Sequence, residues 1–104
     1  MNFDFATEPE IRLELGRRIA QQRIKKNITQ AELAQRSGVG IATLKRLESG
    51  DGATLSNFIR ILMALGFVND LSLLAVEPTL SIDAFEAQNN AKPRKRASQN
   101  PNRA

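Results

Sequence analysis

The chain has 104 residues, room for one small domain and some tail. It holds no cysteine and no histidine, which removes disulfides, thiolate chemistry, the ordinary zinc sites and the commonest general base together, so no enzyme, catalytic residue, metal or cofactor is expected. The formal net charge of +4 is mild, no apolar run approaches the roughly 18 residues of a membrane span, and the acidic opening "MNFDFATEPE" is unlike a secretory or transit peptide; a cytoplasmic chain is the expectation.

Thr7 and Glu10 make a T-x-x-E capping box ahead of "IRLELGRRIAQQRIKKN". Apolar residues Ile11, Leu15, Ile19 and Ile24 recur there with Arg, Gln and Lys between them, predicting a first helix that ends near Asn27. A second capping box, Thr29 and Glu32, opens a short helix over roughly 30–37, with Gly38 placed to end it in a left-handed conformation. Past Val39, "GIATLKRLESG" predicts a third short helix with Leu44 and Leu47 inward and a stop at Gly50.

Thr54 then caps "LSNFIRILMAL", stopped by Gly66, whose stripe of Leu55, Phe58, Ile59, Ile61, Leu62 and Leu65 is wider than one buried face needs. Asn69 is placed to cap a fifth helix through "DLSLLAV" before Pro78, and Ser81 to start a weaker turn or helix. The pattern is all-α, the only strand-like alternation being "NFDF", where Phe3 and Phe5 could form an arm laid across a partner.

Charge is distributed unevenly. Residues 1–90 hold 10 Lys/Arg and all 11 Asp/Glu, whereas residues 91–104 add five cations and no anion. From Asn90 onward apolar periodicity stops, which predicts a disordered basic tail. Its Lys92, Arg94, Lys95 and Arg96 suit a DNA backbone or minor-groove contact, a solubilising role or a contact with a protein partner.

The central unit is "TQAELAQRSGVGIATLKRLESG". Leu33 and Ala34 face inward, Ala34 being small enough for close helix approach; Gly38 supplies the turn, and Val39 and Leu44 close the core. Gln30 lies on the first turn of the second helix, where free N–H groups and the dipole favour a phosphate; Thr43, Lys25 and Lys26 are further phosphate candidates. On the third helix, Gly40 offers bare backbone, Ile41 and Ala42 offer apolar contact to a thymine methyl, and Lys45 and Arg46 lie one turn on. Of these, Arg46 suits bidentate pairing with a guanine edge.

This stretch resembles the Cro/cI or Xre family of DNA-binding domains, on the strength of "TQAELA", Gly38 and "LESG", over residues 12 to about 66. The resemblance implies a five-helix bundle whose third helix enters the major groove, and a homodimer on a palindromic double-stranded DNA operator with half-sites about 34 Å apart. It also implies a structural ion pair between Arg23 and Glu48.

The domain would span residues 8–76, followed by an extension at 77–90 that makes a dimer or toxin contact and the tail at 91–104. Within the family, "ATLKRLESGDGATLSNFIRILMALGF" and the basic "KPRKRAS" look like HipB-like antitoxins. That likeness implies a repressor of its own operon that also binds a HipA-like serine/threonine kinase toxin. A phage-type or restriction-modification controller repressor without a toxin is the alternative.

Overall fold

The computed structural model describes residues 1–78. Four α-helices follow one another: α1 (Glu8–Lys25), α2 (Gln30–Ser37), α3 (Ile41–Glu48) and α4 (Leu55–Leu65). Short 3-10 helices, Phe3–Phe5 and Val68–Leu73, flank them, and no strand occurs among the described residues. The architecture is the expected all-α bundle, with the 3-10 helix Val68–Leu73 in the place of the expected fifth helix. A compact unit spans Met1–Leu74; of the second unit, Ala75–Ala104, only residues 75–78 are described. Most of the expected extension at 77–90 and the whole tail, with Lys92, Arg94, Lys95 and Arg96, lie outside the described residues.

Local chemistry sets the helix limits. At α1 the Glu10 N–H donates to Thr7 Oγ1 and the Thr7 N–H to Glu10 Oε1; Thr29 and Glu32 repeat the arrangement at α2. Thr54 caps α4 by accepting from the Asn57 N–H. All four helices end in the same way: a left-handed residue (Asn27, Gly38, Gly50, Gly66) follows the last turn, and the next N–H reaches back five residues, as Val39 N–H does to Ala34 O. The chain is thereby reversed sharply at each junction, which lets such short helices pack as a bundle.

The core gathers Ile19 of α1, Leu33 and Ala34 of α2, Leu44 and Leu47 of α3, and Ile61, Leu62 and Leu65 of α4. Leu33, Leu44, Ile61 and Leu65 are fully buried, and each such side chain contributes about 1.5–3 kcal/mol relative to exposure. α1 packs on α3, and α2 packs on both α3 and α4.

Three expectations need correction. Ile24 does not continue the inward stripe of α1; it is 63% exposed, and Gly16 is the residue buried beside Ile19. Asn69 does not cap the last element, which begins at Val68, two residues earlier than expected, behind Phe67 and with no side-chain cap. "NFDF" is not extended: Asn2 accepts from the Asp4 N–H and starts a 3-10 turn, and the Phe3 ring lies 5.3 Å from the Arg18 guanidinium carbon. Phe5 remains exposed.

Candidate nucleic-acid interface

α3 is held by its inner side alone. Leu44 and Leu47 are buried, which turns Ala42, Lys45 and Arg46 outward; Ile41 is 43% exposed on the flank, and Thr43 is half-buried. Ile41 and Lys45, and likewise Ala42 and Arg46, are four apart, so the exposed face carries an apolar first turn and a cationic second turn. Gly40 is the N-cap, with ordinary extended backbone (φ −70°, ψ 149°) and no side-chain cap bond. The amides of Ile41, Ala42 and Thr43 consequently have no acceptor among the described residues. Open N–H groups at a helix start attract anions.

α2 presents its first turn differently. Thr29 and Glu32 occupy each other's polar groups, leaving the backbone N–H groups of Gln30 and Ala31 without an acceptor among the described residues. The Gln30 side chain is already engaged: its Nε2 donates to Glu48 Oε1 at 3.0 Å. That bond joins the start of α2 to the end of α3. Glu32, taking hydrogen bonds from the Thr29 N–H and then from its hydroxyl, has its pKa held below the usual carboxylate range.

Arg23 and Glu48 meet in a two-point pair, Nε to Oε2 at 2.8 Å and Nη2 to Oε1 at 3.1 Å. Their side chains are 13% and 6% exposed. A third Arg23 bond, Nη1 to Ile28 O at 2.9 Å, pins the connection between α1 and α2. α1, α2 and α3 therefore converge on one carboxylate.

Every ion pair among the described residues uses an arginine of α1: Arg12 with Glu8, Arg17 and Arg18 with Glu14, and Arg23 with Glu48. The Glu14 carboxyl is pulled down to about 2 by hydrogen bonds from Arg17 and then Arg18. Lys25, Lys45 and Arg46 enter no ion pair among the described residues, and Lys26 has its ammonium 5.8 Å from the centre of the Phe67 ring. Positive charge that meets no counter-ion among the described residues is thus left on the outer face of α3 and at the end of α1. Arg36 and Arg60, unpaired in the same sense and lining an open depression with Met63, were not singled out by sequence reasoning. For Arg60 a signal existed, since no acidic residue stands three or four positions away on its helix.

No helix among the described residues is long and apolar enough to cross a membrane. A family model described as helix-turn-helix matches residues 19–69, which takes in the end of α1, all of α2 to α4 and the start of the last 3-10 helix. Comparison with curated proteins finds no match.

Proposed function

We propose, from the helix-turn-helix match over residues 19–69, that the protein is a DNA-binding regulator, and more finely a sequence-specific transcriptional repressor that occupies an operator as a homodimer. The observation that carries the reading is α3 itself: a helix buried through Leu44, Leu47 and the Glu48 carboxylate, its first-turn N–H groups without an acceptor and its outward Lys45 and Arg46 in no ion pair among the described residues.

In this reading Arg46 pairs with a guanine edge, Ile41 and Ala42 touch thymine methyls, and Gly40 brings backbone close to the duplex. Lys45, Thr43, Lys25, Lys26 and the first-turn amides of α2 serve the phosphates, which position the helix without reading sequence. Exposed apolar side chains support the dimer: Leu55, Met63, Leu73 and Leu74 lie outside the core of the compact unit. Sedimentation of the purified protein as a monomer at micromolar concentration would count against it.

The finer proposal is a HipB-like antitoxin that represses its own operon and binds a HipA-like serine/threonine kinase toxin. The resemblance of "ATLKRLESGDGATLSNFIRILMALGF" and of the basic tail supports it, as does apolar surface beyond what the bundle buries. A repressor of phage or restriction-modification type, with no toxin, is the alternative. Co-expression with the neighbouring gene product separates them.

The test of the DNA reading is footprinting on the DNA upstream of the protein's own gene. Arg46→Ala is expected to cost about 1–3 kcal/mol there and to relax one operator position. Equal loss on operator and random DNA would rule out base reading by Arg46.

A further inference from the structure

We infer that Gln30 acts as a positioning residue for α3, aiming its reading face through Glu48, and does not act through a side-chain contact to DNA phosphate. The inference rests on the DNA-binding reading above and concerns how that site holds its geometry.

α2 and α3 are joined at one end by the turn Gly38–Val39–Gly40, so together they form a wedge hinged at that turn. Leu33, Ala34 and Leu44 pack inside it. Apolar packing favours a range of crossing angles with a scatter of about 15–20°, and a pointed hydrogen bond narrows that range. At the open end of the wedge, Gln30 on the first residue of α2 donates to Glu48 on the last residue of α3. A directional bond between the two far ends sets the crossing angle.

Arg23 makes the anchor rigid. Its two bonds to Glu48 and its third to Ile28 O fix the carboxylate against α1 and against the connection leading into α2. Glu48 Oε1 therefore has a fixed place, and Gln30 Nε2 is held to it. One N–H of the Gln30 amide is spent on this bond and the second is held in place with it, so the side chain is fixed toward Glu48 and does not swing freely to a phosphate.

An eight-residue helix is about 12 Å long, so an opening of about 1 Å at the far end would swing α3 by about 5°. Arg46 lies two residues from that end and would move with it. Base reading depends on such aim. Contact with phosphates by flexible Lys and Arg side chains tolerates it.

The test uses the full chain, with the duplex upstream of its own gene and a random duplex of equal length as probes. Gln30→Ala is expected to keep the fold by circular dichroism, to weaken upstream binding by about tenfold, the worth of one charge-assisted hydrogen bond, and to leave random-duplex binding unchanged. The upstream-to-random ratio is the readout that a purely structural loss would not move. In ¹H–¹⁵N spectra of Gln30→Ala, amides near the end of α3 are expected to shift, a measurement that needs no Glu48 variant to fold.

Where the double variant Arg23→Met with Glu48→Leu folds, adding Gln30→Ala to it should lower the ratio no further, because the acceptor of the Gln30 bond is already gone. Equal weakening on both duplexes would overturn the inference and restore a phosphate role for the Gln30 amide; an unchanged ratio or unmoved α3 amides would overturn it as well. Wild-type protein that binds neither duplex would overturn the DNA reading itself, and this inference with it.

Discussion

Gly16 of α1 lies directly under the backbone carbonyls that close α3: a Cβ built at Gly16 would come within 2.9 Å of Glu48 O and closer still to Leu47 O. Both atoms are backbone, so neither can rotate aside. Gly16 is also buried, next to Ile19 on the contact face of α1. The absence of a side chain is what lets α1 and α3 approach closely enough for Arg23 to reach Glu48.

Gly16→Ala is therefore expected to destabilise despite the better helix propensity of alanine. Overpacking of a tight contact costs about 1–3 kcal/mol and more when only backbone can yield, against about 1 kcal/mol gained from propensity. A net loss of about 2 kcal/mol would lower the melting temperature of a domain this size by roughly 8–16 °C. A circular dichroism melt equal to wild type would show that the helices can separate at little cost.

Arg23 and Glu48 supply a second expectation. Removing one partner strands the other among buried atoms, so Arg23→Ala or Glu48→Ala should each cost about 3–5 kcal/mol in urea unfolding. Replacing both by apolar residues of similar size, Arg23→Met with Glu48→Leu, should cost less than either single change. That ordering is the informative result: a double variant worse than both singles would mean that the pair stabilises beyond its own desolvation.

How much of this was legible in the sequence depended on range. Capping at Thr7, Thr29 and Thr54 and the stops at Gly38, Gly50 and Gly66 are written within a few residues, and each sits in the structure where its spacing placed it. Ile24 misled because periodicity says which residues share a face, not how far along the helix a partner extends; past Ile19 the apolar face of α1 runs out of core. Gly16 was silent for a related reason, since a glycine inside a helix gives no sign of what approaches it from 31 residues away. The outward placement of Lys45 and Arg46 followed from Leu44 and Leu47. The bond from Gln30 to Glu48 did not follow from any local pattern, because two helices and a turn separate its ends.

Acid should weaken the fold through Glu14. Its folded pKa of about 2 lies below its ordinary 4.5, held there by Arg17 and Arg18, so the carboxylate contributes stability in full above about pH 4.5. That contribution declines as pH falls from about 4.5 to about 2, where the folded form also takes up the proton. Glu32, lowered by its capping bonds, acts with the same sign. Urea midpoints measured across this range should show wild type and Glu14→Gln converging as pH drops; a gap that stays constant would show that the ion pairs on α1 contribute nothing that titrates.

Gly40 allows fold and DNA contact to be separated in one residue. Its backbone is in an ordinary region, φ −70° and ψ 149°, and a Cβ there would meet only Thr43 Oγ1 at 3.9 Å, an ordinary contact. Alanine should therefore be tolerated, and serine should add a capping acceptor for the open amides at the start of α3, raising stability by a few tenths of a kcal/mol. If bare backbone at Gly40 approaches DNA, the same substitutions should nevertheless weaken binding. Alanine inserts a methyl between backbone and duplex, and serine also occupies an N–H group that would face a phosphate. Losing one charge-assisted hydrogen bond corresponds to about 10- to 100-fold in affinity. Gly40→Ser is thus expected to melt at or above the wild-type temperature and Gly40→Ala close to it, and both to bind upstream DNA more weakly. Undiminished binding by both would place the backbone of Gly40 away from the duplex and leave recognition to the side chains of Ile41, Ala42, Lys45 and Arg46.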